Sequence, residues 1–207
     1  MVLRAGLQAG LLNQSSAQVI DGSLRFDDVR NNRLERTVSD GNRRTFTFAC
    51  WVKRGVINAT PINIFAAGSN NFRIALGAGD GYLQVYNYNG SSHDFIKGSS
   101  AIYRDTGWYH LVVAIDTTNG TPDDRMKLYV NGERLTAFGN GNTNPSENFQ
   151  SYVNDSSNTH YLGYIGASGY DLDAYLSQAY FIDGLALGPE NFGFTDPLTG
   201  TWRPKKY

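Results

Sequence analysis

An all-β domain is what this sequence predicts, and three observations carry that reading. The first is the aromatic content of 13%, with 13 Tyr and 11 Phe beside 23 Gly and only two Met. Short strands joined by glycine turns are built from that mixture, whereas helical bundles are not. The second is repeated period-two alternation, as over Thr45 to Lys53, and the third is that no helix of three or more turns is signalled anywhere. At 207 residues the chain fits one large β domain. It is long enough to bury ~70% of its unfolded surface without staples.

Residues 1–20 show no strand alternation and read as an amino-terminal arm, with Leu7, Leu11 and Leu12 as apolar anchors for a partner surface. From Gly22 the pattern changes. Ser23 to Asp27 alternates, and Ile62 to Ala67, Phe72 to Leu76 and Tyr82 to Tyr86 follow as strands. The turns between them are Gly68-Ser69-Asn70 and the glycine-rich run 77–81, whose Asp80-Gly81 is a hairpin signal. The centre is a long strand, Trp108 to Asp116, then a polar loop and a second strand, Arg125 to Val130. In that second strand Met126, Leu128 and Val130 fall on one face, and Arg125, Lys127 and Tyr129 on the other. Asn131-Gly132 closes a type I′ hairpin into Arg134 to Phe138.

Residues 139–158 read as a polar loop anchored by Phe149 and Tyr152. A loop of ~20 residues inside a domain is often functional. His160 to Gly166 and Ala174 to Asp183 resume the strand pattern, and Leu187 to Gly193 reads as one helical turn with Pro189 near its start. The domain therefore spans 21–193, and 194–207 is a basic, aromatic carboxyl-terminal tail.

Charge and cysteine content narrow the function classes. The formal net charge is -1, with 18 basic and 19 acidic residues interspersed, so there is no footprint for nucleic acid. The single Cys50 lies inside a strand and reads as a small buried hydrophobe. Gln8 interrupts the apolar amino-terminal run and no convincing cleavage site follows, which points to folding in a reducing cytoplasm. No stretch approaches the ~20 apolar residues needed to cross a bilayer, so membrane insertion is not expected.

Four segments together resemble the laminin G-like, concanavalin A-like superfamily. They are Phe46-Thr47-Phe48-Ala49-Cys50-Trp51-Val52-Lys53, Trp108-Tyr109-His110-Leu111-Val112-Val113, Met126-Lys127-Leu128-Tyr129-Val130-Asn131-Gly132-Glu133 and Tyr164-Ile165-Gly166-Ala167-Ser168. The resemblance implies a jelly-roll β-sandwich of two antiparallel sheets. The ending, Phe181 to Leu187, then Phe192-Gly193 and Thr199 to Tyr207, is similar to laminin G-like virion proteins of marine bacteriophages. That likeness implies a non-enzymatic structural role, as a capsid decoration or tail-associated subunit folded in the host cytoplasm. Its partners would be other virion proteins and further copies of itself in a closed homo-oligomer such as a trimer. The alternative is a lectin-like adhesin that recognises a host surface glycan.

Catalysis finds little support in the residues. Glycoside hydrolysis needs two carboxylates flanking the bond, and the glucanases of this superfamily carry them as Glu-x-Asp-x-Glu on one strand. The four glutamates here, Glu35, Glu133, Glu147 and Glu190, make no such pattern, and the nearest approximation is Asp171-Leu172-Asp173. His93, His110 and His160 lack metal-ligand spacing, and His110 reads as a strand residue held by hydrogen bonds. The superfamily resemblance makes calcium the one cofactor to consider, through Asp155, Asp171 and Asp173, with Asp123 and Asp124 on another loop. Glycan binding needs exposed aromatics. Tyr82, Tyr86 and Tyr88 alternate and so share a face, and Tyr170 and Tyr175 lie near the last hairpin.

Overall fold

The computed structural model describes residues 19–30, 32–56, 61–77, 81–166 and 171–207. Leu7, Leu11, Leu12, Asp80 and Tyr170 lie outside these residues. In chain order the first strands are β1 (Leu24–Phe26), β2 (Leu34–Arg36), β3 (Thr45–Arg54), β4 (Ile62–Ala67) and β5 (Phe72–Leu76). The middle of the chain forms β6 (Tyr82–Tyr88), β7 (His93–Ile102), β8 (Trp108–Asp116), β9 (Met126–Val130) and β10 (Glu133–Arg134). The last are β11 (Phe138–Thr143), β12 (His160–Leu162), β13 (Ala174–Asp183), β14 (Gly193–Thr195) and β15 (Trp202–Pro204). Among the described residues the only helical elements are three-residue 3-10 turns, one of them Pro189–Asn191 with proline at its start.

The strands form two large antiparallel sheets. The first has the order β1-β13-β3-β8-β9-β10 and the second β11-β7-β6-β5-β4-β12-β2, while β14 and β15 make a separate ribbon. The alternation expected for β3 orders the core. Phe46, Phe48, Cys50 and Val52 point between the sheets, opposite Ile115, Val113, Leu111 and Tyr109 of β8. Phe72, Ile74, Leu83, Val85 and Phe95 close the core from the second sheet. Cys50 is fully buried, and burial pushes its thiol pKa up, as suits a packing residue. The Asn131-Gly132 turn has φ of 51° and 84°, the two positive angles that a type I′ hairpin requires.

Several strands depart from the sequence expectation, β7 and β11 most of all. β7 is not among the strands read from the sequence, and Gly98-Ser99-Ser100 interrupts its apolar pattern. It is nevertheless a ten-residue partner of β6, and its inward Lys97 is buried, donating to the Met126 carbonyl at 3.3 Å. Phe138–Thr143, expected partly as loop, is the edge strand β11 and pairs with β7. The rest of the 139–158 segment is pinned as an ordered closure of the sandwich. Phe149 packs edge-on to Phe95, Ser151 Oγ donates to Asn87 Oδ1 at 3.0 Å, and Val153 is fully buried. The strand after His160 is shorter than expected, because Gly163 turns the chain at φ 80°, where a Cβ would meet the Phe26 ring.

The carboxyl-terminal residues, read from the sequence as a basic, aromatic tail, lie on their own domain. The reason is that β3 and β8 carry apolar groups on both faces, so the outer face of the first sheet also needs a cover. Ala49, Val112 and Phe192 form a second buried cluster there, with Tyr129, Tyr180, Ile182 and Leu187 packed around it. Thr47 Oγ1 donates to the Leu185 carbonyl at 2.7 Å and accepts from the Leu187 N–H at 2.8 Å, clamping that segment.

Candidate functional site

The outer face of the first sheet is covered unevenly, and the site lies where the cover stops. Cross-strand registers stack the outward residues in rows: Tyr180–Ala49–Val112, then Ser177–Trp51–His110, then Tyr175–Lys53–Trp108. Phe192 and Tyr207 lie over the first row and Trp202 over the second. The third row stays open. Tyr175 is 36% and Trp108 40% exposed, with half-buried Lys53 between them. Strand spacing of ~4.8 Å puts the two rings roughly 10 Å apart on one platform. Arg25 extends the row from β1, its guanidinium 5.1 Å from the Tyr175 ring centroid and 2.6 Å from Asp173.

Two clefts flank Trp108, of ≈ 440 and ≈ 550 Å³, and both are lined by Trp51, Trp108, Thr201 and Trp202. Each is in the size range of a small-molecule site. All three tryptophans of the chain therefore meet at this one place. Trp202 reaches it because Gly132 and Gly193 leave room, since a Cβ at either would come within 2.4 Å of the indole. Trp202 Nε1 donates to His110 Nδ1 at 3.0 Å, so the histidine in the sheet holds the wall of the clefts in place. Burial pushes the His110 imidazole down to about 4, keeping the accepting nitrogen unprotonated at neutral pH. The Trp51 indole, 7% exposed, packs 5.0 Å from the His110 ring, and its Nε1 has no hydrogen-bond partner among the described residues.

The tyrosines named from the sequence do not form one site. Tyr82, Tyr86 and Tyr88 share the outer face of the second sheet, as alternation requires. Tyr86, however, is only 5% exposed, beneath Arg73, and its hydroxyl donates to Asn70 Oδ1. The Tyr82 ring lies against Gly77, and the Tyr88 hydroxyl donates to the Gly90 carbonyl at 3.0 Å. Packing thus commits Tyr86, while Tyr82 and Tyr88 are half-buried. Tyr175 alone of the described candidates stands open, on the first sheet beside Trp108. The tryptophans were legible only as strand positions. Their odd places in β3 and even places in β8, opposite the core residues, were the available signal.

Of the three carboxylates named for calcium, Asp155 and Asp173 are paired with arginines. Asp155 accepts from Arg43 Nη1 at 2.8 Å and from Ser157, whose bonds hold its pKa down. Asp173 faces Arg25. Asp171 is buried, and burial, then Asp28, push its carboxyl pKa up. No group of three or more His, Cys, Asp or Glu side chains gathers among the described residues. Asp21 and Glu133 border the clefts, exposed and on separate ones.

Comparison with known proteins bears on the fold. A family model described as the Concanavalin A-like lectin/glucanases superfamily matches residues 28–183. No curated protein sequence matches the chain. Among solved structures, the heptameric SAP-like pentraxin from Limulus polyphemus is similar at 19% identity and TM-score 0.52, covering 72% of this chain and 68% of that one. A putative carbohydrate binding protein from Bacteroides ovatus gives 17% and 0.54, covering 78% of this chain and 43% of that one. A leech intramolecular trans-sialidase gives 14% and 0.54, with 77% of this chain and 26% of the other. At these identities the likeness is one of fold, and the chain spans less than half of the latter two proteins.

Proposed function

We propose, because this chain belongs to the Concanavalin A-like lectin/glucanases superfamily, that it is a non-catalytic glycan-binding module whose ligand lies on the outer face of the first sheet. The observation that carries the reading is the open Tyr175–Lys53–Trp108 row beside two tryptophan-lined clefts. Sugar rings present apolar C–H faces that pack on exposed aromatic faces, while flanking polar groups fix their hydroxyls. The two carboxylates at the clefts stand apart and solvated, which supports binding without hydrolysis. Trp108→Ala is expected to weaken glycan affinity by about tenfold or more, ~1.4 kcal/mol, as loss of a central aromatic anchor does. Tyr82→Ala, on the other sheet, should leave affinity unchanged. A glycan array followed by titration calorimetry reads both, and an array silent for the wild-type protein overturns the proposal.

A second reading, a virion subunit, is favoured by a different observation. An apolar groove runs between edge strands β1 and β2, lined by Leu24, Phe26, Leu34, Leu162 and Leu176, with Leu24 56% and Leu34 49% exposed. Gly22 borders the same groove, three residues after Val19, where the described chain begins. An arm formed by residues 1–20 would carry Leu7, Leu11 and Leu12 to such a surface on a neighbouring copy or another virion protein. Deleting residues 1–20 should then abolish incorporation into particles while the domain stays folded. Full occupancy of virions by the truncated protein overturns this reading.

A further inference from the structure

We propose that the sandwich binds a medium-chain aliphatic carboxylate, its tail in an apolar cavity between β2 and β13 and its head group at Arg36. The site lies apart from the tryptophan clefts, and the proposal rests on neither reading of function above.

The cavity, of ≈ 160 Å³, lies beside a break in β13. The register of β13 against β3 shifts between Ser177 and Tyr180, where Gln178 takes a φ of 47°. This bulge separates the inward residues Leu176 and Phe181 and leaves only the small Ala179 at the cavity wall between them. Phe48, Phe65 and Phe181 line the space and stack on one another, Phe65 standing 5.0 Å from Phe48 and 5.7 Å from Phe181. Leu34 of edge strand β2 is 49% exposed, so the space opens to solvent there. At Leu34, Leu162 and Ala179 it joins the groove beside β1, of ≈ 530 Å³.

Walls of this kind suit hydrocarbon. A sugar would surrender the hydration of its hydroxyls to a lining made largely of phenylalanine and leucine. An apolar cavity of about 150 Å³ holds a six-carbon ring, so this one takes roughly six carbons of a flexible chain and the groove takes the rest. Charge sets the head group. Leu34 and Arg36 pair with Leu162 and His160, so both stand on the cavity face of β2, ~7 Å apart. Glu35 alternates to the other face, where Arg33 engages it at 3.0 Å. The Arg36 side chain makes no ion pair or hydrogen bond among the described residues, and its charge reaches His160 in the cavity wall, pushing that imidazole further down. A carboxylate would meet the guanidinium fork there, while its alkyl chain ran past Leu34 towards the groove.

The test titrates the full chain with hexanoate, octanoate and 1-octanol by calorimetry. Octanoate is expected to bind saturably and about tenfold more tightly than hexanoate, as two further buried methylenes imply. It should also bind more tightly than 1-octanol. Arg36→Gln, an exposed change, should bring those two affinities together while 1-octanol binding stays unchanged. Ala179→Leu, which fills the cavity from its exposed wall, should weaken both eight-carbon ligands about tenfold. The wild-type protein supplies a readout independent of whether either variant folds: octanoate should shift the Phe65 and His160 ring resonances and leave the three tryptophan indole resonances in place. Trp108→Ala should leave octanoate affinity unchanged, which separates this site from the glycan platform. Absence of saturable octanoate binding, equal wild-type affinities for octanoate and 1-octanol, or shifts at the tryptophans instead of Phe65 and His160 would each overturn the proposal.

Discussion

Lowering the pH from 7 to 5 is expected to remove about 4 kcal/mol of folding stability, and two histidines are the cause. His110 and His160 are 2% and 8% exposed, and burial pushes both imidazoles down from 6.5 to about 4, with Arg36 adding to the effect on His160. Each accepts a hydrogen bond at a ring nitrogen, His110 Nδ1 from the Trp202 indole and His160 Nε2 from the Asn154 N–H at 3.1 Å. Protonating that nitrogen replaces an acceptor with a donor pointing at a donor. The folded state thus binds protons more weakly than the unfolded chain, whose histidines titrate near 6.5. The stability these groups contribute is full above 6.5, falls as the pH drops, and reaches its floor below about 4. Each histidine accounts for about 2 kcal/mol at pH 5. Urea unfolding across this range measures it, and a flat profile between pH 7 and 5 would show that neither ring is buried as described. The His110 share should appear as early exposure of Trp202, because that indole loses its acceptor.

Phe192→Ala is expected to destabilise the domain by about 3–5 kcal/mol, the cost of emptying a large buried aromatic site. Phe192 is 1% exposed, stacks on Tyr180 at 5.7 Å and Tyr207 at 5.2 Å, and seals Ala49 and Val112 of the first sheet. Its removal opens the second core and releases the ribbon that carries Trp202, so glycan affinity should fall in parallel. Phe192→Leu should recover most of the loss, since volume-conserving changes are tolerated better. A measured cost under about 1 kcal/mol would mean that the carboxyl-terminal cover is dispensable, as a free arm would be.

How much was legible in the sequence follows from which interactions are local. β3, β8 and β9 were readable because period-two alternation is imposed by the backbone of each strand alone. The Asn131-Gly132 turn was readable because two consecutive positive φ angles demand those residue types. β7 and β11 were not. Their glycines, serines and asparagines earn strand geometry only from neighbouring strands, and Lys97 is buried because its ammonium finds the Met126 carbonyl and the Phe138 ring, 4.8 Å away. The tyrosine stripe shows the same division. Its shared face followed from spacing, but the burial of Tyr86 depends on Arg73 and Asn70 from elsewhere in the chain.

The sequence by itself determined that this chain is a sandwich of antiparallel strands, and which residues of its clearest strands face the core. It did so because that information repeats within every few residues. Only the tertiary structure decided where the outer faces are open. Trp51, Trp108, Trp202 and Tyr175 come from four separate segments, and the bond that sets the cleft wall joins residues 92 positions apart. Whether an outward aromatic is core or platform depends on what a distant segment lays over it. On the first sheet the carboxyl terminus covers two rows and stops short of the third.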